Sequence, residues 1–438
     1  MSGNASFRSF HVKAGIVVLL AMLLAACGPS EETAGQSTSA GPKSLIYSWM
    51  SDPNKEVPNF LAVIDADSAS PTYGTILKTV AAGEVRGNAH HSNFTLPYSG
   101  MLFTNDFFGD GTYIFDTADP INPVLASSFR HIGDYTFAHT FAELPNGNML
   151  ATFQTKGMDN KIPGGLVELT TTGEPVQTGS ADPGDAGIFM RPYSLVLLPH
   201  LDRVVTTNAD MKEGGVGRHI QIWRLSDLAL LHTIPMGAPE GARPGIAGDP
   251  FEIRLLEDHD TVIINTVFCG LYTLTDVGSD TPRLRLVHDF DAELCFIPVR
   301  IGQYWVQSVV RAVAMTGGVD IMTGDGALEV LDLSDPTSPV VVDHLEMAEG
   351  MVPHWLSPDQ AGERIVVLGF GPQLINRVML VNFDSETGKL EIDEAFGGGN
   401  EAGPGLITAI IDRPGGERGP AVPHGSVFWP SADPSWKN

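Results

Sequence analysis

Cysteine is scarce, with three in 438 residues, and no C-x-x-C pair occurs. H-E-x-x-H and G-x-S-x-G are missing too, so a serine nucleophile has no motif behind it. Basic residues are outnumbered two to one, 26 against 52, giving a formal net charge of −26. No Lys/Arg cluster tracks a phosphate backbone, which excludes nucleic acid as the expected partner. An acidic surface favours solubility and cations but names no ligand. Long amphipathic helical stretches are also absent. What remains is a chain with 43% hydrophobic and 18% charged residues, 48 Gly and 31 Pro, which is folded and rich in turns. Its length suits two or three domains, or one domain built from repeats.

The N-terminus carries Arg8 and Lys13 before the apolar run "AGIVVLLAMLLAAC", with no acid before Glu31. The run is too short for a permanent bilayer span and reads as a signal-peptide core. It ends in Leu24-Ala25-Ala26-Cys27, which is similar to a bacterial lipobox. The expectation is a lipoprotein signal over residues 1–27, with Cys27 lipidated, and a flexible tether over residues 28–43. Gly28 gives no signal for inner-membrane retention. The expected location is the periplasm, with a lipid anchor in the outer membrane as the only membrane contact. In that oxidising compartment Cys269 and Cys295 are either disulfide-bonded or two separate buried thiols.

Residues 44–438 are full of short β-rich runs that end in Asp, Ser, Thr or Gly. Two of them nearly repeat: "IFDTADPINPV" (114–124) and "VLDLSDPTSPV" (330–340). The shared D-x-x-D-P-x-x-P-V fits a tight turn whose Asp accepts backbone hydrogen bonds and whose prolines preset φ. A second repeat has a polar or aromatic head, a short apolar run, a turn and another apolar run. Its heads are His91, His139, Tyr193, Phe251 and His354, with a weaker copy near Cys295 and a final one at His424. Their spacing of about 45 to 60 residues is that of a four-stranded propeller blade. The pattern predicts an all-β, seven-bladed β-propeller. Its closure pairs the C-terminal strand with N-terminal strands and leaves no open edge.

Heads at equivalent places on the innermost strands converge at the propeller axis. That brings together His90, His91, His139, His354 and His424, with Glu252 beside the Phe251 head. Imidazoles in this number suit a transition metal, and a carboxylate suits a base or a partner to an imidazole. The other reading is a polar channel in which histidines satisfy backbone groups. Arg191 and Arg254 lie near two heads and read as members of structural ion pairs.

The motifs "GNAHHSNF", "FAHTFAELPNGNMLATF", "GRHIQIWRLSDLALLHTIPMG", "PFEIRLL" and "LEVLDLSDPTSPVVVDHL…PHWLSPDQAGERIVVL" occur in one order from about residue 44 to 430. Together they resemble the selenium-binding protein / methanethiol oxidase family. That resemblance implies a propeller and, for the oxidase members, copper and the conversion of methanethiol and oxygen to formaldehyde, hydrogen sulfide and hydrogen peroxide. It also implies His90, His91, His139, His354 and His424 as metal ligands or close neighbours. The Cys-rich stretch common after H-H-S in the family is here "NFTLPYSG", so selenium binding through Cys is not expected. The functional expectation is a copper-dependent periplasmic oxidase of a small thiol or related sulfur compound, with Glu252 taking a proton. The alternatives are a non-catalytic lipid-anchored propeller that binds a protein or ligand, and a copper-binding or delivery protein.

Overall fold

The computed structural model describes residues 41–431 apart from 84–86, 186, 257, 291–305, 309–310, 318–325 and 400–402. Cys27, the signal segment, most of the tether, Cys295 and much of the weak repeat copy after it lie outside these residues. Among the described residues, helix is limited to two three-residue turns, Pro199–Leu201 and Phe396–Gly398. The rest of the regular structure is antiparallel strand in a β-propeller arrangement.

The sheets of four or more strands are antiparallel ladders, and most run from a buried inner strand to an outer one. The inner strands Tyr135–Glu143, Pro192–Leu198, Pro250–Leu255, Val352–Pro358 and Val422–Trp429 are mostly buried on both faces. The outer strands Val124–Phe129, Pro175–Ser180, Arg283–Asp289 and Val340–Glu346 alternate exposed and half-buried positions. A strand sandwiched between neighbouring sheets needs apolar side chains on both faces, whereas a rim strand needs them on one. Successive sheets share hydrophobic cores: Phe103 and Ile114 pack with Phe141 and Val167, and Leu150 and Leu166 with Leu197 and Trp223. Burying each such side chain contributes about 1.5–3 kcal/mol.

The Asp-Pro repeat forms the turn its sequence predicts. Asp116 Oδ1 accepts from Ala118 N at 2.8 Å, and Asp119 Oδ1 from Ile121 N and Asn122 N at 3.2 Å. In the second copy Asp332 Oδ1 accepts from Ser334 N at 2.8 Å and Asp335 Oδ1 from Thr337 N at 3.0 Å. Val422–Trp429 pairs antiparallel with Leu45–Ser51, in the sheet order Ile76–Ala81, Phe60–Asp65, Leu45–Ser51, Val422–Trp429.

The blade count differs from the expected seven. Six sheets have four strands or more, and the unit that follows His90 and His91 is the three-stranded sheet Met101–Asp106, Gly111–Asp116, Val124–Phe129. Its inner segment keeps one isolated bridge, Ser92 to Thr104. Two asparagines supplement the backbone bonds that remain, His90 N to Asn105 O and Asn105 N to His91 O at 2.9 Å and Asn93 N to Phe103 O at 3.0 Å. Asn105 Oδ1 takes the His91 N–H at 2.7 Å, and Asn93 Oδ1 takes the Phe103 N–H at 2.8 Å. Side chains thus make bonds that a continuous ladder would make through its backbone.

Cys269 is disulfide-bonded.

Candidate metal centre

The heads fall in β-bulges of the inner strands. Register shifts between Ala138 and Phe141, Pro192 and Leu195, Pro250 and Ile253, and Pro353 and Trp355. Another shift sets His424, between Pro423 and Gly425, outside the regular pairing with Leu45–Ser51. A bulge adds a residue to one strand and re-aims the side chains beside it. His139, Tyr193, Phe251, His354 and His424 all occupy such places.

A side chain on the second strand services each of the first four inner segments. Asn105 Oδ1 accepts from His91 N at 2.7 Å, Thr152 Oγ1 from Thr140 N at 3.0 Å, Thr207 Oγ1 from Ser194 N at 3.0 Å and Asn265 Oδ1 from Glu252 N at 2.9 Å. This pattern makes His90, not His91, the equivalent of His139, Tyr193 and Phe251; His91 is the equivalent of Thr140, Ser194 and Glu252. Three of these side chains also reach the next inner strand. Asn105 Nδ2 donates to the carbonyls of Ala138 and His139 at 2.7 and 3.2 Å. Thr152 Oγ1 donates to Tyr193 O at 2.8 Å and Thr207 Oγ1 to Phe251 O at 2.5 Å. A relay of hydrogen bonds therefore ties one head to the next. Sequence reading missed Asn105, Thr152 and Thr207, which look like ordinary strand residues.

The five histidines meet. Ring nitrogens of His90, His91 and His139 lie within 4.8 Å of one another, and so do those of His91, His354 and His424. His90 stacks on His91 with centroids 3.8 Å apart, and His354 meets His424 edge-on at 4.9 Å. Two metal–imidazole bonds span at most about 4.2 Å, so small side-chain rotations would gather either trio round one ion. His90, His91 and His139 are buried, while His354 and His424 are half-buried. His139 Nδ1 lies 3.0 Å from Tyr193 O, which fits a ring that donates there and keeps Nε2 as a lone-pair donor.

His90 Nδ1, His139 Nε2 and His424 Nε2 are buried with no hydrogen-bond partner. Leaving such an atom unsatisfied costs about 1–3 kcal/mol, and a bound cation removes that cost. Burial pushes all five imidazoles below their usual pKa, helped by neighbouring imidazoles at His90, His91, His139 and His354; His139 falls to about 3 and His424 to about 4. Near neutral pH the cluster is a set of uncharged nitrogen donors, the form a metal binds.

The rest of the axis is different. Tyr193 stacks against His139 at 3.9 Å and Phe251 against Tyr193 at 4.1 Å, so two heads supply aromatic packing in place of imidazole. Glu252 belongs to neither imidazole trio. Its Oε2 accepts from Ser194 Oγ at 2.9 Å and Arg254 Nη1 at 2.7 Å. Burial raises its pKa, while Arg254 and Ser194 pull it down. Arg254 lies over the Phe94 ring at 3.8 Å. Arg191 pairs with Asp210 at 3.1 Å. Both arginines are thus held in ion pairs.

No family model matches the chain. A methanethiol oxidase from Hyphomicrobium sp is 35% identical over 220 residues, 44% of this chain and 46% of that protein. A methanethiol oxidase from Homo sapiens is 22% identical over 270 residues, 53% of this chain and 54% of that protein. The chain therefore aligns with about half the length of the curated relatives it matches. The X-ray structure of a hypothetical selenium-binding protein from Sulfolobus tokodaii superposes with a TM-score of 0.71 at 17% identity, covering 90% of this chain and 96% of that one. Fold and site define an all-β propeller with an imidazole cluster where its inner strands meet. Together with these similarities, they support a kinship with the selenium-binding protein / methanethiol oxidase family.

Proposed function

We propose that the protein is a copper-dependent oxidase of a small thiol, acting in the periplasm from a lipid anchor at Cys27. The observation that carries this reading is the convergence of five imidazoles from four separate stretches of chain, three with an orphaned buried nitrogen. His90, His91 and His139 would hold the ion on one side, with His354 and His424 on the other, and imidazole donors suit copper. When bound, copper supplies one-electron chemistry between thiol and oxygen. The chain's own part is to keep the imidazoles neutral, to fix His91 and His139 through Asn105, and to exclude water with Phe107, Trp355 and Phe370, whose rings pack on the cluster. In this reading Glu252 takes the thiol proton once displaced from Arg254. In the same reading the pairing of Val422–Trp429 with Leu45–Ser51 would close the ring.

The test is copper content and turnover of protein exported with its own leader in copper-supplied cells, against a His91→Ala/His354→Ala variant. Stoichiometric copper lost in the variant, with formaldehyde, sulfide and peroxide formed from methanethiol, oxygen and water, is the expected result. Copper without products favours storage or delivery instead. Protein without metal in either form sinks the oxidase reading and leaves a binding propeller.

A further inference from the structure

A roof of three phenylalanines lies beside the cluster. Phe107 is fully buried and sits 5.3 Å from the His90 ring and 5.5 Å from the His139 ring. Phe108 packs edge-on against Phe107 at 5.3 Å and is 54% exposed. Phe137 lies 5.9 Å from Phe107. Phe108 also meets the His90 ring edge-on at 6.1 Å, so an exposed and a buried ring both cover that imidazole.

Two features show that this roof is held in place at a cost. Phe137 has φ +60°, a left-handed backbone that a bulky residue rarely adopts unless its surroundings impose it. What imposes it is Asp110, whose buried carboxylate takes the Phe137 N–H at 2.5 Å. The second feature is Lys212, on the turn that follows the strand Arg203–Asn208. Its ammonium lies 3.6 Å from the Phe137 centroid, 5.3 Å from Phe107 and 5.7 Å from Phe108. The turn is set from below, because Asp210 Oδ1 accepts from Lys212 N at 2.9 Å while pairing with Arg191 at 3.1 Å. An ammonium facing three phenyl rings is attracted by each, most strongly where water is excluded.

We propose that Lys212 latches Phe107, Phe108 and Phe137 into a roof that decides what reaches His90 and His139, admitting neutral, apolar molecules of only a few heavy atoms and refusing charged ones or ones as bulky as diethyl pyrocarbonate. The nature of the admitted molecule rests on the oxidase reading; the latch does not. Lys212 is a positioning residue here, acting through the rings. Its four-carbon stem lets the ammonium swing clear without moving the backbone.

The experiment is carbethoxylation of the metal-free protein by diethyl pyrocarbonate, mapped by mass spectrometry at His90 and His139 and scaled to exposed His200. It reads access to imidazole whether or not copper binds, so its failure is separable from that of the oxidase reading. Lys212→Ala should speed modification of both histidines about tenfold or more, as loss of a desolvated cation–π contact implies. Lys212→Met, which keeps bulk but no charge, should behave like Lys212→Ala. Unchanged rates in Lys212→Ala, with native circular dichroism, overturn the latch. A Met variant as protected as the parent overturns the ammonium's part in it. In copper-loaded protein, Lys212→Ala should release metal faster to a bulky anionic chelator while its equilibrium affinity stays unchanged. A loss of affinity would mean that Lys212 shapes the ligand set instead.

Discussion

Asn105→Ala offers the sharpest test of how the centre is assembled. The side chain is fully buried and spans two inner segments: its Oδ1 takes the His91 N–H at 2.7 Å, and its Nδ2 serves the Ala138 and His139 carbonyls. Alanine leaves the N–H and the carbonyl pair without these partners. Each buried group so orphaned costs about 1–3 kcal/mol. Three such groups sum to roughly 3–9 kcal/mol, a large part of the about 5–15 kcal/mol that holds a typical domain. Copper affinity should fall about 10–100-fold, the usual effect of removing a group that orients metal ligands. Thr152→Ala is the control. It breaks the same kind of relay, to Thr140 N and Tyr193 O, but spans only one histidine-bearing strand. Chemical unfolding and chelator competition on both variants give the answer. Comparable stability losses with a much larger affinity loss for Asn105→Ala are expected. Equal affinity losses, or a stability loss below about 1 kcal/mol for Asn105→Ala, would refute the argument.

Two further outcomes follow from the buried charges. The metal-free protein should lose stability as pH falls below the usual imidazole pKa of about 6.5 towards 4, because the unfolded chain binds protons that the folded cluster refuses. Each imidazole contributes a slope of up to about 1.4 kcal/mol per pH unit, readable by urea unfolding across that range; a flat profile would contradict the burial argument. Arg254→Ala should destabilise by about 3–5 kcal/mol, since it strands the buried Glu252 carboxylate, whereas Glu252→Gln keeps an acceptor for Ser194 and should cost less in thermal unfolding.

How much of this was legible beforehand varies with the reach of each interaction. The Asp-Pro turns are local: donor and acceptor sit two or three residues apart, so composition and order suffice. The convergence of His90, His91, His139, His354 and His424 was legible because a repeat of roughly constant length maps equivalent positions onto one axis. The alignment within the first repeat was off by one residue, because the bulged heads of the later repeats were matched to the wrong histidine of an adjacent pair. A bulge leaves no mark in hydrophobic patterning, and only the hydrogen bond to Asn105 reveals that His91 is the partner of Glu252 in place and not of His139. The sequence placed Glu252 beside the Phe251 head but hid its ion pair: Arg254, two residues on, turns back and binds its carboxylate. The irregular first inner segment was equally hidden, with Asn93 and Asn105 side chains supplementing its backbone bonds. Lys212 gave no signal at all: in "ADMKEGG" it is one more turn lysine, and its three phenyl partners come from elsewhere in the chain.

The position of His424 has a consequence for biosynthesis. It lies on the strand Val422–Trp429, paired with Leu45–Ser51 near the other end of the sequence. A ribosome emitting this chain delivers His90, His91, His139 and His354 before the residue that completes their company. The first strand, meanwhile, waits for its inner neighbour until nearly everything between has been made. A nascent or truncated chain therefore has neither the finished sheet nor the full set of imidazoles. Order of synthesis itself acts as a checkpoint: the imidazole cluster is complete only in molecules whose strand Val422–Trp429 has been made and folded.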